Sequence, residues 1–221
     1  MTTPGVRTGF RAGAVSLSVL ALVACLFVWT TDPRGDAIVG VDIQYVTQYV
    51  GVLHPVAEGF VERFGALAQV AAMLGVTVGV RGNRTRFLAA GVVSLAAAGM
   101  VGVGVRILGD LHPGAAPDLV AAERAEAVAV FVLAALLLGT AVALIWRRFA
   151  LHDGFVGVCL AVVGGLHLVS MYLVVSGLSP AMALAAWAWV PGGCLLLAAL
   201  CTAGTAVRPR AGREAVRPLP A

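Results

Sequence analysis

Charge is the scarcest property of this chain. Only 12% of its 221 residues are charged, whereas 60% are hydrophobic; soluble domains carry about 25% charge. That shortage excludes a water-soluble fold, because surface-to-volume scaling leaves too little interior to hide so much apolar surface. Lysine is missing altogether: all fifteen basic residues are arginine. The net charge of +4 does not suit nucleic acid, since a basic stripe for phosphate contacts needs a soluble face to carry it. Cysteine is sparse, and Cys25, Cys159, Cys194 and Cys201 each lie in an apolar run with no Cys-x-x-Cys pair. They read as small hydrophobes, not as disulfides or metal ligands. There is no Gly-x-Ser-x-Gly elbow, no His-Glu-x-x-His and no phosphate-binding glycine loop. No metal or cofactor is expected.

Long apolar runs are what the chain has in abundance. About 20 apolar residues cross a bilayer as a helix, and six such runs follow one another: Ala12–Thr30, Phe64–Val80, Phe87–Val105, Ala127–Trp146, Phe155–Leu178 and Ala181–Cys201. The pattern predicts an all-α, polytopic membrane helix bundle with six transmembrane helices, forming one domain over 1–207. An Arg- and Pro-rich tail over 208–221 reads as disordered and cytoplasmic. The first run follows Arg7 and Arg11 like a signal peptide. It is long and lacks an Ala-x-Ala site, so it reads as an uncleaved helix with Trp29 in the interfacial aromatic belt. Within the connection Thr31–Arg63, Val41-Asp42-Ile43-Gln44-Tyr45 alternates with strand period.

Orientation follows from arginine. With the N-terminus inside and six crossings, eleven arginines fall inside (Arg7, Arg11, Arg81, Arg84, Arg86, Arg147, Arg148 and the four of the tail). Four fall outside: Arg34, Arg63, Arg106 and Arg124. This positive-inside bias predicts a multi-pass chain with both termini in the cytoplasm. Gly75 and Gly79, with the small-residue stripe Ser94, Ala98 and Gly102, suggest close helix approach. With the short turn Arg81–Arg86, they predict a tight hairpin of the second and third spans.

Few polar residues need a reason. His167 is the one ionisable residue deep in a span, and such residues are functional candidates by default. A buried neutral imidazole held by hydrogen bonds is its simplest reading, with Ser170 three residues on along the same face; a ligand contact or proton relay is the alternative. The other histidines read as loop residues. On the outer side, His54, Glu58, Asp110 and His112 are the remaining ligand-binding candidates. His54 and His112 both precede proline, which favours extended backbone, and their spacing fits no metal motif. They read as a solvated acidic rim whose loops lie side by side without convergence of the side chains. Pro191-Gly192-Gly193 interrupts the sixth run and predicts a kink within it.

Val46-Thr47-Gln48-Tyr49-Val50 echoes the first half of a segment, Val-Ser-Gln-Tyr-Ile-Ser-Glu-Leu-Gly, that follows the first helix in a group of bacterial six-helix membrane proteins. The chain thus resembles domain-of-unknown-function family 998, although Gly51-Val52-Leu53 stands where that family has Ser-Glu-Leu. His112 answers to the family's histidine in the outer loop after the third helix. The resemblance implies architecture and no mechanism. The sequence reading is therefore a non-enzymatic membrane protein, a small transporter component or a membrane-organising protein. Its partners are lipid and a second membrane protein or copy of itself. The competing reading is a membrane-embedded hydrolase or oxidoreductase with an outer-face site.

Overall fold

The computed structural model describes residues 4–32, 34–43, 59, 61, 66–111, 117–177 and 183–206, with backbone alone at 118, 119 and 122. Six helices of more than ten residues are described: α1 (Pro4–Ala24), α2 (Leu67–Thr77), α3 (Asn83–Gly109), α4 (Pro117–Ile145), α5 (Phe149–Gly177) and α6 (Val190–Ala206). Five helical stretches are long and apolar enough to cross a membrane: Gly5–Ala24, Asn83–Gly109, Glu123–Ile145, Phe149–Gly177 and Ala186–Thr205. The second expected span is shorter, because α2 is an apolar helix of 11 residues. All-α architecture and membrane-type helices therefore stand.

Small residues decide which helices meet. α1 runs antiparallel to α6: Gly204 sits against the ring of Phe10, and a Cβ on Gly13 would come within 3.2 Å of Cys201 Sγ. α1 also runs antiparallel to α2, with Gly75 against Ser18 and Gly79 against Val15. Gly164 brings α5 onto α6, where a Cβ would lie 3.0 Å from Gly192 O and from Leu195 Cβ. Gly75 and Gly79 thus serve α1, and the expected tight hairpin of the second and third spans does not form. α3 pairs instead with α4, and α4 packs on α5. The buried face of α3 is Arg86, Ala90, Val93, Ala97 and Gly104, whereas Ala98 and Gly102 are exposed. The Ser94 stripe is accordingly not the packing seam.

Three further expectations are corrected. α1 ends at Ala24, and Trp29 belongs to a two-stranded antiparallel hairpin, β1 (Val28–Thr31) with β2 (Ala37–Val39). There Trp29 is buried, not in a lipid belt. The hairpin turn is closed by Asp32, whose Oδ1 accepts the backbone N–H of Arg34 and of Asp36, both at 2.8 Å. Gly35 supplies the positive φ of 91° that the turn requires. The segment expected as a strand starts instead with a helical turn through Gly40–Ile43, and Gln44 and Tyr45 lie outside the described residues. Pro191 does not kink a helix: α6 begins at Val190, so Pro191 is its second residue. Its missing N–H removes nothing there. A short 3-10 turn, Ala186–Ala188, precedes it.

The antiparallel packing sorts the described residues into two ends. Arg7, Arg11, Arg81, Arg84, Arg86, Arg147 and Arg148 share one end with Asp153; Arg34, Arg106 and Arg124 lie at the other. The Arg147 backbone is left-handed (φ 57°). It closes α4 in a Schellman motif, with Arg148 N–H donating to Ala143 O and Arg147 N–H to Leu144 O.

Candidate functional site

At the arginine-rich end, α2, α5 and α6 converge on one buried carboxylate. Asp153 stands on the second turn of α5, and its side chain is 2% exposed. A carboxylate so placed must collect hydrogen bonds from every side, since burying a charge without partners is costly. Arg81 Nη2, from the turn after α2, donates to Asp153 Oδ1 at 2.9 Å and Oδ2 at 2.8 Å. The Thr205 hydroxyl of α6 reaches Oδ2 at 2.9 Å. His152 Nδ1 lies 2.9 Å from Oδ1. An ionised carboxylate only accepts, so Nδ1 carries the proton in that contact.

The other face of the imidazole touches α2. His152 Nε2 is 2.9 Å from Thr77 Oγ1, and Thr77 Oγ1 is 2.6 Å from Leu74 O. Thr77 has one proton. A neutral His152 accepts it at Nε2, whereas an imidazolium donates to Oγ1 and frees that proton for Leu74 O. Arg81 also stacks over the Phe149 ring, with Cζ 4.6 Å from the centroid. Burial lowers the Arg81 guanidinium from its ordinary value, Asp153 raises it again, and Arg11 nearby adds to the lowering. An arginine so shifted still stays charged at physiological pH.

Spacing along the chain does not show this cluster. The sequence pattern puts His152 in a loop, and it is instead a fully buried residue of α5. One signal was available. Asp153 is the sole acid that the six-span reading puts on the arginine-rich side before the tail, and it directly follows a histidine.

At the opposite end, His167 is 1% exposed. Its Nε2 lies 2.8 Å from Ala188 O, and a carbonyl only accepts, so Nε2–H donates. The partner comes from the turn before α6 and not from Ser170. Trp29 meets the imidazole edge-on at a centroid distance of 5.3 Å and donates its own N–H to Ala24 O at 2.9 Å. Ala185 N–H donates to Trp29 O at 2.7 Å. Trp29 thus fastens the hairpin to α5 and to the turn before α6, where Thr30 Oγ1 also donates to Ala183 O at 3.1 Å. A direct test follows for His167. His167→Gln is expected to retain near-native stability, because an amide N–H can reach the Ala188 carbonyl. His167→Leu should lose about 1–2 kcal/mol through the carbonyl left unpaired. Thermal melts of the purified protein in detergent measure the difference, and equal melting of the two variants would contradict the role of this bond.

Of the outer candidates, Asp110 is exposed at the end of α3, with a loose ion pair to Arg106 at 3.7 Å. His54, Glu58 and His112 lie outside the described residues, as do Val46–Val50, which carry the family resemblance, and the tail over 208–221. Among the described residues, no group of three or more His, Cys, Asp or Glu side chains could hold a metal ion. The four cysteines are free, three of them buried. A groove of about 800 Å³ runs between α5 and α6, with Asp153 and Thr202 at its polar end and Val158, Ala161, Leu196 and Leu200 along it. A second, of about 240 Å³, lies between α4 and α5 and is lined by aliphatic side chains such as Val132, Leu136 and Val162.

No family model, no curated protein and no solved structure matches this chain.

Proposed function

We propose that the chain is a non-enzymatic, six-span protein of the bacterial plasma membrane, with both termini in the cytoplasm. It acts as a component of a small transporter or as an organiser of membrane proteins, not as a self-contained carrier or enzyme. The resemblance to family 998 belongs to this proposal and contributes architecture alone.

The observation that carries the reading is the interior of α5. His152 and His167 are both buried on α5, fifteen residues or about 22 Å apart along the helix. Between them the buried face is Val156, Cys159, Leu160, Val163 and Gly164, packed against Leu195, Ala198 and Ala199 of α6. Apolar, close-packed side chains offer a proton or polar solute no hydrogen-bonding steps. The two polar clusters are held between helices by hydrogen bonds, which favours a fastening role over turnover. The grooves are apolar and suit acyl chains. The arginine-rich end would face the cytoplasm by the positive-inside rule.

Two measurements test this. The purified protein in liposomes carrying an internal pH dye and a potassium diffusion potential is expected to leak protons no faster than empty liposomes. Rapid proton entry abolished by Asp153→Asn would overturn the reading in favour of a carrier. Reporter fusions at Gly82 and the C-terminus should report cytoplasm, and a fusion at Pro117 the outside. A cytoplasmic signal at Pro117 would remove the six-span topology.

A further inference from the structure

Arg86 is the least explained charge among the described residues. It is the fourth residue of α3 and only 9% exposed. Its Nε and Nη1 are buried, and neither has a hydrogen-bond partner among the described residues. The guanidinium lies over the ring of Phe87, 4.6 Å from Cζ to the centroid. A cation–π contact compensates only part of the loss of water. The described residues offer the Arg86 guanidinium no carboxylate.

The surroundings point to an anion. Arg86 follows directly on the first three residues of α3, and helical side chains lean toward the N-terminus of their helix. The first turn has no side-chain cap from Gly82 and no acidic residue. The N–H groups of Asn83, Arg84 and Thr85 are therefore without helical acceptors, and the helix dipole is unopposed. Arg147 approaches the same turn through its hydrogen bond to Asn83 Oδ1, and Arg84 and Arg148 are exposed beside it. The described carboxylate of this end, Asp153, is committed to Arg81, His152 and Thr205.

We propose that Arg86 and the first turn of α3 bind the phosphate of an anionic phospholipid of the adjoining leaflet. The lipid is favoured over a free anion by location. α3 is a membrane-type helix from Asn83 onward, so its first turn stands at headgroup depth. Phe87 and Leu88, the next residues, are 54% and 72% exposed and meet acyl chains. Arginine clusters at this depth attract anionic headgroups.

Native mass spectrometry of the full chain, released from detergent micelles doped with phosphatidylglycerol or phosphatidylcholine, tests the proposal. The wild type is expected to retain phosphatidylglycerol preferentially. Arg86→Gln should weaken retention about tenfold, the scale of one hydrogen bond to a charged group, and the exposed Arg84→Gln about twofold or less. A melting series separates binding from folding. Without lipid, Arg86→Gln should melt no lower than wild type, since it removes an unpaired buried charge; added phosphatidylglycerol should raise the wild type alone. Equal retention by wild type and Arg86→Gln would overturn the site. Displacement of the lipid by excess inorganic phosphate would overturn the lipid as its source. Arg86→Lys, which keeps the charge, should bind between the two; binding as weak as Arg86→Gln would also count against a charge-based site.

Discussion

Replacing Asp153 by alanine is expected to cost about 3 kcal/mol of stability, the lower end of the range for breaking a buried ion pair. The lower end applies because the Arg81 side chain keeps 23% of its exposure. The loss has several parts. Arg81 keeps a half-buried charge without its carboxylate, His152 loses the acceptor of its Nδ1–H, and Thr205 turns back to the Thr202 carbonyl, 2.8 Å away. A double variant, Arg81→Met with Asp153→Leu, should recover most of that loss. Removing both charges leaves no buried ion, and apolar pairs of similar size replace buried salt bridges well. The shortfall should be about 1 kcal/mol from the histidine. Denaturation in mixed micelles across the double-mutant cycle measures the coupling between the two residues. Additive single effects would mean that Arg81 and Asp153 do not act as a pair.

Trp29→Ala is the second large effect, at about 3–5 kcal/mol for removing a fully buried aromatic side chain. The indole fills a space bounded by Ile38, Met171, Val174 and Ala188, lies against Gly40 and touches the His167 ring. Its loss should detach the β1–β2 hairpin from α5 and α6. Limited proteolysis is expected to cut near Arg34 far faster in the variant, while the opposite end stays protected. Trp29→Phe keeps most of the volume and loses the N–H bond to Ala24 O, for about 1 kcal/mol. A uniform rise in cleavage at both ends would mean that Trp29 supports the whole bundle and not the hairpin alone.

The difference between these two sites explains how much of the protein could be read in advance. His167 stood out because it interrupts a long apolar run, and any such interruption demands a partner. Its partner did not stand out: Ala188 contributes a backbone carbonyl, which every residue has. His152 and Asp153 read as loop because two arginines precede them, and charge near an apolar run usually marks its end. Here α5 starts earlier and carries the pair inward, where Arg81 and Thr205 meet it. Trp29 is a comparable case. Tryptophan at the end of an apolar helix fits an interfacial belt, but Gly40 opens a space for it inside the hairpin. Pro191 looked like a kink because the preceding run had already begun at Ala181; the 3-10 turn at Ala186–Ala188 resets the helix just before it.

Sequence alone determined the helices long and apolar enough to cross a membrane and the uneven placement of arginine, because these are sums over single residues. Transfer into lipid depends on how apolar each stretch is, whatever it packs against. Only the tertiary structure decided that α1 pairs with α6, that Gly75 serves α1, and that His152, Asp153, Arg81, Thr77 and Thr205 form one cluster. In lipid a helix can be apolar all round, so no hydrophobic stripe announces which face turns inward. Pairing is then chosen by shape, where a glycine lets two backbones close, and by the few polar groups that must find each other once they do.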